Sequence, residues 1–322
     1  MTIHDIFELA ISLGRKHDFR KKAVIDEHLR RIKKKYDAMP KKEKALFDTE
    51  RLTNPYPDSA IHYAPKKKVA VKRVLAGIDI DAGELLAAER LADNPKKRVD
   101  LVIAHHPVGK ALVGLDAVME LQADIFESYG IPINIAEKLI HKRISEVTRG
   151  VNPINHYQTA DLARMLGVPF MNVHTPADNM VASFLINFVE KKKPKYVGDI
   201  LDALLEVPEY QEASRQGVPP CLFAGSRENR TGRIAVSEIT GGTEGNPEMY
   251  EKLAQAGIGT VLSMHQSEKH REAAEKAHIN VVIAGHMSSD SIGMNLFLDE
   301  LEKKGIDIVP CSGLIRHSRA GR

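Results

Sequence analysis

Tryptophan is absent from this 322-residue chain, and aromatic residues make up only 5% of it. Its core must therefore be built from aliphatic side chains. Cysteine is nearly absent as well. Cys221 and Cys311 are too few for a disulfide framework or a zinc–thiolate site, and a reducing cytoplasm is the default setting. No run reaches the roughly 18–20 apolar residues that a membrane helix needs, so no membrane association is expected. The first residues lack the basic-then-apolar pattern of a secretory leader. Gly241-Gly242-Thr243-Glu244-Gly245 lacks the lysine and spacing of a Walker phosphate loop and reads as a structural turn.

Hydrophobic residues at 43% and charged residues at 28% are ordinary for a globular protein with a sizeable core. The formal charge of +3 conceals an asymmetry. Residues 1–73 carry 19 Lys+Arg against 10 Asp+Glu, and the rest of the chain carries 27 against 33. A basic arm thus precedes a mildly acidic body. The arm has neither interleaved aromatics nor a recognisable nucleic-acid module. That favours a solvated face or a contact between subunits over nucleic acid.

Hydrophobic periodicity predicts helix over roughly 3–48, broken near Pro40, then a linker or irregular lead-in loop over 52–69. From residue 70 the pattern becomes strand–helix alternation. Strands are predicted at 74–80, 100–104, 168–173, 233–239, 260–264 and 279–284. Helices are predicted at 82–92, 114–129, 136–149, 157–166, 179–191, 247–256, 267–277 and from about 288 to Gly305. Residues 197–220, with three prolines, read as a linker or insertion. Such alternation means an α/β fold with largely parallel sheets covered on both faces, and ligands there bind beyond the carboxyl ends of the strands.

Three segments place ligating residues at those ends. The apolar run 100–104 leads into His105-His106-Pro107. His174 and Asp178 follow the strand at 168–173 and open a helix. Gly285-His286 and Asp290 repeat that plan after 279–284. Each segment alone is explained by a strand cap or a helix-capping carboxylate. Together, imidazoles and carboxylates without thiolates suit two divalent ions such as Zn, Fe or Mn and disfavour an iron–sulfur cluster. Asp178 is the expected bridging carboxylate. His174 reads as a weak ligand or as a hydrogen-bond donor behind the ligands, His174 and His265 are the candidate catalytic groups, and His265 and His270 are candidates for the cavity wall.

These motifs, in this order, resemble the Nif-three-like family, also known as GTP cyclohydrolase 1 type 2 homologs. The resemblance covers about residues 70–316. It implies two intertwined α/β halves, about 70–196 and 221–316, with a dinuclear metal site between them and assembly into a homo-oligomer, commonly a hexamer. An N-terminal helical extension (1–69) and a basic tail (317–322) lie outside it. The implied metal ligands are His105, His106, Asp178, His286 and Asp290, with Asp290 standing where the family has Glu. The implied activity is metal-dependent hydrolysis of a small molecule such as a nucleotide or phosphoester, with GTP the named substrate. The alternative is a non-enzymatic, oligomeric metal-binding scaffold or regulator that binds a protein or nucleic-acid partner.

Overall fold

The computed structural model describes residues 1–67, 69–94 and 96–321. Lys68 of the lysine run and Arg322 of the basic tail lie outside them. In chain order the helices are α1 (Ile3–Lys16), α2 (Lys22–Ala38), α3 (Lys41–Lys44), α4 (Ala82–Leu91), α5 (Gly109–Val113), α6 (Leu115–Val118), α7 (Leu121–Ser128) and α8 (Ile133–Val151). They continue with α9 (Gln158–Leu166), α10 (Thr175–Lys192), α11 (Val197–Leu204), α12 (Pro208–Arg215), α13 (Met249–Gln255), α14 (Glu268–Lys276) and α15 (His286–Glu302). The strands are β1 (Ala60–Tyr63), β2 (Arg73–Gly77), β3 (Leu101–Ala104), β4 (Phe170–Asn172), β5 (Cys221–Ala224), β6 (Arg233–Val236), β7 (Ile258–Ser263), β8 (Asn280–Ile283) and β9 (Asp307–Cys311).

The strands form two sheets, ordered β1-β4-β3-β2-β9 and β5-β8-β7-β6. Each is parallel apart from one antiparallel edge strand, β1 on β4 and β5 on β8. The central strands are continuously apolar because both of their faces are covered. Val74, Ala76, Leu101 and Ile103 pack into one cluster with α1, α10 and α15, while Leu75, Val102 and Phe170 face α4 and α9. The second sheet does the same. Leu262 and Val282 face α10, α11 and α12, and Val261 and Val281 face α8, α13 and α14.

Helices α10 and α15 therefore lie between the two sheets and are enclosed on all sides over 175–182 and 288–295. The final strand, β9, returns from the second half to pair with β2 of the first sheet, so the α/β halves are intertwined. Glycine sets how closely these helices approach. A Cβ on Gly293 of α15 would lie 2.4 Å from the Ala177 carbonyl oxygen of α10. A Cβ on Gly14 of α1 would lie 2.7 Å from Pro176 Cβ. The first turn of α10 is thus gripped from two sides.

Three stretches differ from the expectation. Residues 60–63, expected in a linker or lead-in loop, form edge strand β1, and Ile3, Ile6 and Ala10 of α1 are buried in the first core. Residues 197–220, expected as a linker or insertion, contain two packed helices whose Val197, Ile200, Leu204 and Tyr210 are buried, which departs from a linker. The last helix begins at His286, not near Ser288. Local polarity and proline content had suggested irregular chain, and tertiary burial overrides both.

Candidate metal centre

The carboxyl ends of β2, β3 and β4 from one sheet converge with those of β7 and β8 from the other, and the candidate ligands stand there. Two orientation rules apply. The extended chain after β3 sends successive side chains in different directions, so His105 is fully buried while 24% of the His106 side chain is exposed. Asp178 and Asp290 lie near the N-terminal ends of α10 and α15, where a carboxylate is favoured by the helix dipole. The close packing of those helices brings the two together.

Each of three imidazoles has its Nδ1 engaged. His105 Nδ1–H donates to the Val173 carbonyl at 2.9 Å, His106 Nδ1–H to Asp79 Oδ1 at 2.7 Å, and His174 Nδ1–H to Asp58 Oδ2 at 2.7 Å. Such partners fix the tautomer and leave the Nε2 lone pair free to ligate. Those Nε2 atoms point at carboxylates. His105 Nε2 is 3.3 Å from Asp178 Oδ1 and 3.5 Å from Asp290 Oδ1. His106 Nε2 is 3.4 Å and His286 Nε2 is 3.5 Å from Asp290 Oδ2.

These separations decide what the cluster fits. Hydrogen bonds between an ionised imidazole and a carboxylate are about 2.7–2.9 Å long. Two donors on one tetrahedral ion, each bonded at about 2.0–2.2 Å, are roughly 3.3–3.6 Å apart. The observed distances belong to the second class. In agreement, His105 Nε2, Asp178 Oδ1 and both oxygens of Asp290 are buried without a hydrogen-bond partner, although burial of an unsatisfied polar atom is costly. Buried His/Asp groups here fit a metal ion.

The ligand atoms fall into overlapping groups, among them His105, Asp178 and Asp290, and His106, His286 and Asp290. Asp290 is common to both, turning Oδ1 to His105 and Oδ2 to His106 and His286. Asp178, expected in the shared position, belongs to only one of these groups. Asp178 faces His105 and, through Oδ2 at 3.8 Å, His174. Packing of α15 across the gap between the sheets places Asp290 centrally.

The electrostatics follow from this crowding. Burial opposes a charge on His105, but Asp290 and Asp178 outweigh it and hold its pKa well above the ordinary value. Burial would raise the Asp290 carboxyl, yet His105 and His106 hold it far below the usual range. Burial wins at His286, whose pKa falls to about 4 even with Asp290 beside it. A cation that binds displaces protons held in this way.

His265 stands at the mouth, its ring 4.6 Å from that of His286 and its Nδ1 3.4 Å from Glu244 Oε1. Burial would raise Glu244, but His265 and His270 hold it at about 2. His270 is buried behind Glu244, with Nε2–H donating to the Gly245 carbonyl, so it braces the loop instead of lining a cavity. That loop is a packed turn, as expected, since Gln122 donates to the carbonyls of Gly241 and Thr243. Three participants were not anticipated: Asp58, Asp79 and Glu244. Asp79 carried a usable signal, because it follows β2 at a strand end. Asp58 and Glu244 sit in loops with no spacing signature.

No protein-family model and no curated protein matches this sequence. Solved structures do. A NIF3 superfamily protein from Sphaerobacter thermophilus is 30% identical, with a TM-score of 0.71 over 80% of this chain and 92% of that one. The chain belongs to the NIF3 superfamily. Reduced HcgD from Methanocaldococcus jannaschii is similar in fold at 14% identity, with a TM-score of 0.51 over 84% of this chain and 97% of that one. This NIF3-like chain has no helix among the described residues long and apolar enough to cross a membrane.

Proposed function

We propose that this NIF3-like chain holds two divalent ions, of zinc, iron or manganese, and uses them to hydrolyse a small molecule. His105, Asp178 and Asp290 would hold one ion, and His106, His286 and Asp290 the other. The observation that carries this reading is the set of four buried, unpartnered ligand atoms arranged about one shared carboxylate. When bound, such a pair supplies Lewis acidity toward a carbonyl or phosphoryl oxygen and a nucleophile at neutral pH.

The protein's own part is orientation and access. Asp79 and Asp58 fix the rings of His106 and His174. The His105 side is closed, whereas 38% of the His286 side chain is exposed, so a substrate approaches there. His265, backed by Glu244, faces that approach and is placed to pass a proton to a leaving group. GTP, the substrate named by the resemblance, finds little help from the protein. Among the described residues no Lys or Arg ion-pairs with the carboxylates of Asp58, Asp79, Asp178, Asp290, Glu238 or Glu244, and Arg143 reaches only the Glu244 carbonyl, its Nε–H donating at 3.1 Å.

A screen of metal-loaded protein against nucleotides and phosphoesters tests the reading. Chelation should abolish turnover, and re-addition of metal should restore it. His106→Ala should cost at least about 100-fold in kcat/KM with the fold intact, as expected for loss of a ligand from a catalytic ion. Turnover that survives chelation would defeat the hydrolase reading.

The alternative, an oligomeric metal-binding scaffold, is favoured by the arm. Lys34 of α2 and Lys41 and Lys42 of α3 are exposed and ion-pair with none of the described residues. Deleting 1–69 would not discriminate, because it also removes Asp58 and β1. Changing the three lysines to glutamate should abolish binding of an acidic protein or nucleic-acid partner while metal content stays at the wild-type value. Unchanged partner binding would dismiss the arm as the contact.

A further inference from the structure

We propose that His174 is itself a metal ligand that closes the coordination of the inner ion and leaves the outer ion as the open, reactive one. This rests on the two-ion reading above. His174 heads α10 and is only 5% exposed. Its Nδ1–H is committed to Asp58 Oδ2, which also accepts from Thr175 Oγ1–H at 2.6 Å. The backbone N–H of His174 is anchored on Ser59 Oγ at 2.9 Å. The ring is thus held through Nδ1 and the residue through its backbone, both from outside the cluster, and the Nε2 lone pair faces inward. There it lies 3.8 Å from Asp178 Oδ2, and the ligand atoms of His105, His106 and His174 are all within 4.8 Å of one another.

The alternative role for His174, proton transfer to a substrate, requires access that the ring lacks. His265 has that access, with 30% of its side chain exposed. The assignment makes the two sites unequal. His105, His174, Asp178 and Asp290 give the inner ion four side chains, the complement of a closed structural site. His106, His286 and Asp290 give the outer ion three, the complement of a catalytic site with one position left for water or substrate.

The deciding experiment uses full-length protein, zinc alone as the probe, and metal content measured by mass spectrometry after competition with a chelator. His174→Asn is the informative variant. Its amide nitrogen reproduces the Nδ1 hydrogen bond to Asp58 and removes only Nε2. The wild type should retain two zinc ions. His174→Asn should retain one and lose the other by at least about 100-fold in affinity, with an unchanged circular dichroism spectrum. His265→Asn should retain both.

Two ions held in His174→Asn within about threefold of the wild-type affinity would overturn the proposal. So would loss of both ions from a folded variant, which would mark a general support role. If the asparagine variant does not fold, Asp58→Asn takes its place. It should loosen one ion selectively, and loosening of both or of neither overturns the proposal. A wild type that holds fewer than two ions sinks the two-ion reading itself, and that result is seen before any variant is made.

Discussion

Asp290→Asn should empty the centre of both ions, while Asp178→Asn should cost only one. The difference follows from position. Asp290 turns one oxygen to His105 and the other to His106 and His286, whereas Asp178 faces only His105 and His174. An asparagine keeps the shape and halves the ligating capacity, because its amide nitrogen donates and does not ligate. Both affinities should fall by more than the roughly 10–100-fold typical of a supporting residue. Titration of the metal-free variants with zinc against a chelating dye would measure this. Retention of one tight ion by Asp290→Asn would show that the two groups do not share that carboxylate. Asp290→Glu, which restores the residue found in the resembling family, should keep both ions with altered affinities.

Gly293→Ala should destabilise the protein and weaken metal binding together. The added methyl would sit 2.4 Å from a backbone oxygen of α10, which cannot move without moving the helix. Overpacking of this kind costs about 1–3 kcal/mol, and Gly293→Val should cost more. The coupling arises because α10 carries Asp178 and α15 carries Asp290, so spreading the helices separates the carboxylates. Gly83→Ala in α4 is the control, since its Cβ would meet nothing within 4 Å, and it should be neutral or slightly stabilising. Thermal unfolding of metal-free protein gives the stability effect, and chelator competition gives the metal effect. Wild-type values on both measures for Gly293→Ala would contradict the account of helix packing.

What the sequence disclosed follows from how each element is buried. The strands β2, β3, β4, β7 and β8 are covered on both faces and read as plain apolar runs. β1, β5 and β9 are edge strands with partly exposed side chains, and β9 contains Pro310, a residue that edge strands tolerate. None of these three carries the signal. The strand-end histidines were legible because topology dictates where ligands collect. The shared carboxylate was not. Asp178 and Asp290 occupy equivalent places after their strands, and only the packing of α10 against α15 distinguishes them. Asp58 was hidden for a further reason: a polar stretch with two prolines nearby looks like a tether, yet Asp58 is fully buried.

The side chains of the centre come from Asp58 in the N-terminal segment, Asp79, His105, His106, His174 and Asp178 in the first half, and His286 and Asp290 in the last long helix. The two groups that share Asp290 cannot form until α15 has left the ribosome, whereas the group of His105, His106 and His174 draws on the first half alone. An ion held through Asp290 would then be captured after synthesis is essentially finished, by a protein already close to its final shape. Closure of the centre by Asp290 would be a late checkpoint on folding and not a nucleus for it.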